Sequence, residues 1–525
     1  MNRISIYDST LRDGAQAQGI SYSVEDKIKI IQRLDALGID YIEAGNPGSN
    51  PKDLEFFERV KALRLQHSRI IAFGSTRKVG ADVAGDSNVL SLLQAGTSAI
   101  AIFGKSWDYQ VTDILRTTLD ENLRMIGDTI RHLKQRGREV VYDAEHFFDG
   151  YKANADYALQ TLAVAVEAGA DCLCLCDTNG GTFPRDIAEI TRTVKGRFAV
   201  TIGIHCHNDG EMAVANSIMA VAAGATQVQG TINGIGERCG NANLCSIIPN
   251  LQLKLGYSCI PAECLEQLTP VARAVSEIAN MPHNEKAAYV GGDAFAHKGG
   301  MHIDAVVKNP TSYEHINPEM VGNSRRMLMS EVAGRSTLMT RINAVDPGLG
   351  KDAPETQQII DRLKELEHEG YQFEAAESSF ELVVRKILGK YQPFFELKEY
   401  KVIVNEPSIN GVNSSAMIKI RVGDQEEITA AEGDGPVNAL DNAVRKALER
   451  FYPEISEIRL TDYKVRVLDS DQASAARVRV LIESTDHREN WTTIGVSTDV
   501  IDASWRALVD SIEYKLMREL ERNIV

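Results

Sequence analysis

The run Val200-Thr201-Ile202-Gly203-Ile204-His205-Cys206-His207-Asn208-Asp209 is an apolar segment that ends in two histidines two residues apart. On an extended chain, side chains at i and i+2 point to the same side, so both imidazoles can reach one cation. Taken alone, the pair reads equally well as surface polarity at a strand end. A strand that ends in paired ligands suggests a barrel or an open sheet whose C-terminal rim carries the chemistry.

Outward from that strand, one local pattern recurs from residue 1 to about 255: an amphipathic helix, a small residue with glycine, then a short β-branched run. It appears as Ala36-Leu37-Gly38-Ile39-Asp40, Gln94-Ala95-Gly96-Thr97-Ser98, Glu167-Ala168-Gly169-Ala170-Asp171 and Ala222-Ala223-Gly224-Ala225-Thr226. Each glycine suits the left-handed position just past a helix C-terminus. Eight candidate strands follow: 4–10, 39–45, 69–74, 98–104, 139–145, 171–178, 200–207 and 227–233. Eight βα units over this length fit an α/β chain built on a (β/α)8 TIM barrel better than an open doubly wound sheet.

The 525 residues exceed one ordinary domain. With 57 Lys and Arg against 73 Asp and Glu, the net charge of −16 speaks against a nucleic-acid or membrane-surface binder and for a small-molecule enzyme. The N-terminus, Met1-Asn2-Arg3-Ile4-Ser5-Ile6, begins as a strand and lacks a leader pattern, and no apolar run spans a bilayer, so a cytoplasmic location is expected. Cys172, Cys174 and Cys176 alternate on an expected buried strand, as small apolar packing rather than a disulfide framework. No second C-x-C pair stands at a zinc-knuckle distance.

The strand ends are unusually polar. The first carries Asp8-Ser9-Thr10-Leu11-Arg12-Asp13-Gly14, the fifth Asp143-Ala144-Glu145-His146, the sixth Cys176-Asp177-Thr178-Asn179-Gly180-Gly181, and the eighth Asn233-Gly234-Ile235-Gly236-Glu237-Arg238-Cys239-Gly240-Asn241-Ala242. In a barrel these ends converge on one small volume. A carboxylate (Asp13), two imidazoles (His205, His207) and an amide oxygen (Asn241) make a mixed set suited to Mg, Mn or Zn. Arg12, beside a ligand and fixed in charge, is placed to stabilise an oxyanion; its plainer role is a strand-end salt bridge. Glu145 and Glu237 are acid–base candidates, although a strand-end glutamate more often orients a neighbour. The glycine loop lacks the strand-turn-helix setting of a dinucleotide fingerprint.

The first-strand, histidine and Gly234–Asn241 motifs, in this order and at these strands, resemble those of the DRE-type TIM-barrel metallolyases. More narrowly, the chain resembles the family of 2-isopropylmalate, homocitrate and citramalate synthases. The resemblance implies a Claisen-type condensation: acetyl-CoA loses a methyl proton, the enolate attacks the ketone of a 2-oxo acid, and water cleaves the thioester. It implies Asp13, His205, His207 and Asn241 as ligands of a divalent metal, with Arg12 and Thr178 holding the oxo acid. Ala15-Gln16 departs from the Glu-Gln usual in isopropylmalate synthases. The runs Phe73-Gly74-Ser75-Thr76-Arg77, Phe103-Gly104-Lys105-Ser106-Trp107-Asp108 and Asp143 to Tyr151 are similar to the long-form, pyruvate-using branch, with Tyr109-Gln110 in place of an expected Leu-His.

Past about residue 270 the barrel pattern stops. The helical stretch Leu268 to Ile278 leads to Gly291-Gly292-Asp293-Ala294-Phe295-Ala296-His297-Lys298-Gly299-Gly300-Met301-His302-Ile303-Asp304, whose glycines suggest a mobile segment able to close over a site. By resemblance this is a lid over the neighbouring subunit's barrel in a homodimer, with His302 and Tyr313 catalytic, Asp304 at the substrate, and His297 structural or near CoA. A Pro/Gly-rich linker, 346–354, precedes a polar helix, 361–369, expected as a solvated connector.

From about Tyr391 two βββα units follow: strands near 400–405, 415–422 and 425–431 before a helix 436–451, then 463–468, 475–483 and 491–496 before a helix 499–521. This half resembles the allosteric domain of isopropylmalate synthases, which implies an end-product amino acid as effector, here isoleucine, near Asp434 and Gly435 where a helix N-terminus can meet a carboxylate. Three domains are therefore expected: a catalytic barrel 1–270, linker and lid 271–390, and an allosteric module 391–525. Isopropylmalate and homocitrate synthesis would share every catalytic residue. An HMG-CoA-lyase-like enzyme, with Cys239 in the glycine loop, would cleave the bond instead, but the C-terminal module does not fit it.

Overall fold

The computed structural model describes all residues except 1, 49–50, 299, 329–334, 351, 410–411, 469–475, 487–488 and 525. Gly299 of the glycine-flanked segment and residue 475 of an expected strand thus lie outside the described residues. The chain divides into two compact units, 1–296 with 314–326, and 297–313 with 327–525.

The first unit is a closed barrel of eight parallel strands in sequence order: β1 (Ser5–Asp8), β2 (Tyr41–Glu43), β3 (Arg69–Ser75), β4 (Ala99–Lys105), β5 (Glu139–Glu145), β6 (Cys172–Asp177), β7 (Thr201–Cys206) and β8 (Gln227–Gly230). Closure runs from Ser5 opposite Gln227 to Asp8 opposite Gly230. β6 and β7 are buried almost end to end because side chains fill the interior and helices cover the outside. Tyr7, Ile71, Ala101, Val141 and the three alternating cysteines share the interior core. Burial pushes the Cys172 and Cys174 thiols well above their usual range, so they pack as neutral small side chains.

The helix–strand junctions follow from local chemistry. The helix Val24–Leu37 starts on a reciprocal Ser23–Asp26 capping box and stops at Gly38, whose φ of 87° is left-handed. Between them Ile28, Ile31 and Leu34 are buried on one face. β8 is shorter than the expected 227–233. After Gly230 the chain turns through Ile232–Gly234, where Asn233 takes a φ of 60° and its amide donates to the Ala272 carbonyl (2.7 Å) and Ser276 Oγ (3.0 Å) of the helix Leu268–Ile278.

The second unit contains two antiparallel three-stranded sheets. Strands Glu396–Ile409, Val412–Val422 and Gln425–Gly433 precede the helix Pro436–Leu448; strands Arg459–Val467, Val478–Thr485 and Asn490–Ser497 precede the helix Val500–Ile524. Each sheet turns an alternate face to its own helix. Ile418 and Ile420 pack in one core with Leu440 and Val444, and Val480 and Ile482 in another with Ala507 and Leu508. One expectation is corrected. The helix Pro354–Glu369 is no solvated connector: Ile359, Leu363 and Leu366, spaced as one helical stripe, are buried with Phe373, Phe380 and Ile494. The charges of 361–369 occupy its other face and hide the stripe in a composition reading.

Candidate active site

The turn after β1 builds half of the site. Ser9 O accepts from the N–H groups of Arg12 (3.2 Å) and Gly14 (3.0 Å), and Ser9 Oγ accepts from Asp13 N (3.3 Å), which presents Arg12 and Asp13 at the rim. Arg12 Nε donates to Glu43 Oε2 at 2.7 Å, its Nη1 lies 3.2 Å from Asp13 Oδ2, and its guanidinium carbon sits 3.9 Å above the Phe73 ring. Glu43 is wholly buried and also accepts from the Tyr7 hydroxyl (2.8 Å) and from Ser9 Oγ. Burial works against the Arg12 charge, but Glu43 and Asp13 outweigh it and raise its pKa. Arg12 is both a salt-bridge partner and a fixed cation in the cavity.

Asp13 Oδ2 lies 3.5 Å from His205 Nε2 and 3.9 Å from His207 Nε2, and the three ligand atoms fall within 4.8 Å of one another. These gaps are long for hydrogen bonds and suit donors spread around a cation. Asn241 is buried beside them through a backbone bridge to His207, and its Oδ1 has no hydrogen-bond partner. A buried, unpaired carbonyl oxygen is costly unless something electropositive sits against it. Burial raises the Asp13 carboxyl, yet Arg12 and the imidazoles prevail and hold it at about 2; burial and the neighbouring His205 push His207 down to about 4, and burial also lowers His205. A charged carboxylate, two neutral imidazoles and a free amide oxygen are the protonation states a divalent cation requires, so the residues present fit the metal.

A cavity of about 250 Å³ opens over this set, lined by Arg12, Asp13, Phe73, Phe103, Asp143, Glu145, Thr178, His205, His207 and Glu237. Phe73 and Phe103 stack at 5.3 Å and form an apolar wall. Thr178 Oγ1 accepts from His146 N at 2.8 Å, which leaves its proton available to a ligand. Glu145 pairs with Lys105 at 2.5 Å, the arrangement of an orienting group. Glu237 is 58% exposed, and the next residue, Arg238, anchors the loop on Asp209 (2.7 Å) and the Thr178 carbonyl (2.7 Å). Cys239 is exposed.

The barrel thus brings together Arg12, Asp13, Glu145, Thr178, His205, His207, Glu237 and Asn241. His302, Asp304, Tyr313, Asp434 and Gly435 belong to the second unit. There the His302 ring stacks on Tyr313 at 4.2 Å, Tyr313 is half exposed, and Asp304 forms a surface ion pair with Lys308 at 2.6 Å. Gly435 caps the helix Pro436–Leu448 in an extended conformation, next to exposed Asp434.

Sequence reading passed over Glu43, Asp143 as a separate group, and Gln229. Burial first, then Glu43, pushes the Asp143 carboxyl up to about 7, and Gln229 Nε2 donates to it at 3.0 Å. The available signal was a lone acid or amide in an apolar strand, as in Tyr41-Ile42-Glu43-Ala44, since such a group is buried only with a partner.

The HMGL-like family matches residues 3–275, the span that holds the closed parallel barrel and the carboxylate, two imidazoles and arginine at its C-terminal rim. Residues 289–371 match the homocitrate synthase post-HMGL domain-like family, and 374–516 the LeuA allosteric (dimerisation) domain. The chain is 54% identical to the (R)-citramalate synthase of Aquifex aeolicus over 525 residues, all of this chain and 99% of that one. It is 51% identical to that of Geobacter sulfurreducens over 99% of each, and 31% identical to the 2-isopropylmalate synthase of Methanocaldococcus jannaschii over 99% of this chain and 96% of that one. The chain belongs to the (R)-citramalate synthase family of condensing enzymes. Among the described residues no helix is long and apolar enough to cross a membrane.

Proposed function

We infer that the chain condenses acetyl-CoA with pyruvate in a Claisen-type step and hydrolyses the thioester, releasing (R)-citramalate and CoA on the way to isoleucine. The observation that carries this reading is full-length identity of 44–54% to five (R)-citramalate synthases, joined to a cavity with the matching donors. Asp13, His205, His207 and Asn241 would hold the divalent cation, Mg or Mn before Zn, which supplies Lewis-acid polarisation of the oxo acid. Arg12, clamped by Glu43, stabilises negative charge as it develops on the ketone oxygen. Thr178 donates to the substrate carboxylate. The Phe73–Phe103 wall is the apolar surface against which the methyl group of pyruvate would pack. Glu145 and Glu237 orient groups at the rim, and His302 with Tyr313 supplies acid–base chemistry, with Asp304 at the substrate.

We assign 1–270 to the catalytic barrel, 271–390 to linker and lid, and 391–525 to the allosteric module, in a homodimer whose lid serves the neighbouring subunit. The match to the LeuA allosteric (dimerisation) domain and the family resemblance support this reading.

CoA release from acetyl-CoA, with Mg²⁺ or Mn²⁺, is the direct test across pyruvate, 2-oxobutyrate, 2-oxoisovalerate and 2-oxoglutarate. Pyruvate is expected to lead. A lead by 2-oxoisovalerate or 2-oxoglutarate would move the chain to isopropylmalate or homocitrate synthesis, and no release would remove the synthase reading. Adjacent methylene homologues are expected to differ by roughly 10- to 200-fold, the usual reach of an apolar pocket.

The effector assignment is tested by Gly435→Leu rather than by truncation at 391, which would strip Ile494 from the Phe373–Phe380 core. A Cβ at Gly435 meets open space and its backbone is extended, so the variant is expected to fold and turn over but to lose isoleucine inhibition. Undiminished inhibition would place the effector elsewhere.

A further inference from the structure

Asp13 follows β1 and Asn241 follows β8, so two ligands of one cation come from opposite ends of the barrel sequence. A buried hydroxyl ties those two loops together. Thr10 Oγ1 donates to Asp8 Oδ2 at 2.8 Å and accepts from the Ile232 N–H at 2.9 Å. Thr10 N donates to the other Asp8 oxygen at 2.9 Å, so both carboxyl oxygens engage Thr10 and turn the hydroxyl lone pair toward the β8 loop. Asp8, Thr10 and Ile232 are all inaccessible to solvent, where water cannot replace a lost bond.

From Ile232 the connection to the ligand is short. Thr231 Oγ1 donates to the Ile235 carbonyl (2.7 Å), which also accepts from Asn241 Nδ2 (3.3 Å), and Asn241 N donates to the Gly234 carbonyl (2.9 Å). On the other side, Thr10 is inside the turn whose Ser9 carbonyl fixes Arg12 and Gly14. We propose that Thr10, oriented by Asp8, is a positioning residue that holds the β8 loop against the β1 turn and so preassembles Asn241 with Asp13 for the cation. The inference rests on the assignment of Asp13, His205, His207 and Asn241 as metal ligands.

The test is Mn²⁺ affinity by calorimetry on purified, chelator-treated full-length protein, alongside thermal melts without metal. Thr10→Val keeps the shape and removes both bonds; Thr10→Ser keeps the hydroxyl. Leu162→Ala, on the buried face of the helix Ala155–Glu167, is the control for lost stability alone. Thr10→Val is expected to weaken Mn²⁺ binding on the order of tenfold or more, the usual cost of losing a group that orients a ligand. Thr10→Ser should bind as wild type does, and Leu162→Ala should melt earlier without losing affinity. Wild-type affinity in Thr10→Val, a loss no larger than in Leu162→Ala, or a failure of Thr10→Ser to rescue would overturn the proposal. If Thr10→Val does not fold, Asp8→Asn, which sets an amide N–H against the Thr10 donors, is read by the same criterion. No Mn²⁺ uptake by the wild type would remove the metal assignment and this proposal together, whereas uptake undiminished by Thr10→Val removes only the latter.

Discussion

Arg12→Ala is expected to lower kcat on the order of 10²- to 10³-fold, the scale measured when one preorganised stabiliser of a developing oxyanion is removed. The guanidinium lies in the cavity wall, held by Glu43 at 2.7 Å and stacked on Phe73 at 3.9 Å, so its geometry exists before substrate arrives. Charge placed in advance costs no reorganisation during reaction, and the loss should therefore fall on kcat. Arg12→Lys separates charge from geometry: an ammonium keeps the positive charge but lacks the planar fork and the ring stacking, and most of the activity should still be lost. Far-UV circular dichroism should show an intact barrel in both variants. A kcat near the wild-type value in Arg12→Ala would remove Arg12 from the reaction.

Glu43→Gln carries the second large effect. The Glu43 carboxylate, with no exposed surface, accepts from Tyr7, Ser9 and Arg12. An amide of the same size has one oxygen to share among these donors and turns an N–H toward a cation. Removing one member of a buried ion pair costs about 3–5 kcal/mol, so a clear drop in melting temperature is expected. Arg12 keeps Asp13 at 3.2 Å, and the guanidinium should swing toward that carboxylate and away from its place over Phe73. We expect kcat to fall on the order of 10- to 100-fold, the usual loss when a supporting group is removed. Wild-type kcat with a lowered melting temperature would make Glu43 a stability residue alone.

Much of the site was legible before any tertiary structure. His205 and His207 announce themselves because strand periodicity puts i and i+2 on one side, and Asp13 and Asn241 because ligand-type residues recur at successive strand ends. Glu43 did not, since one glutamate in Tyr41-Ile42-Glu43-Ala44 has no meaning until β2 is laid beside β1 and Arg12 reaches back to it. The stripe Ile359, Leu363 and Leu366 was masked in the same way by the charges around it.

By itself the sequence determined what depends on neighbours within a few residues: the helix–strand alternation, the glycine and capping-box helix ends, the two βββα repeats and the polar residues at the strand ends. Only the tertiary structure decided which buried charges meet, because hydrogen bonds such as Arg12 to Glu43 and Ile232 to Thr10 join residues 31 and 222 positions apart. Local propensity carries no information over such separations. Barrel closure does, since it brings strand ends that are far apart in sequence within hydrogen-bond reach of one another.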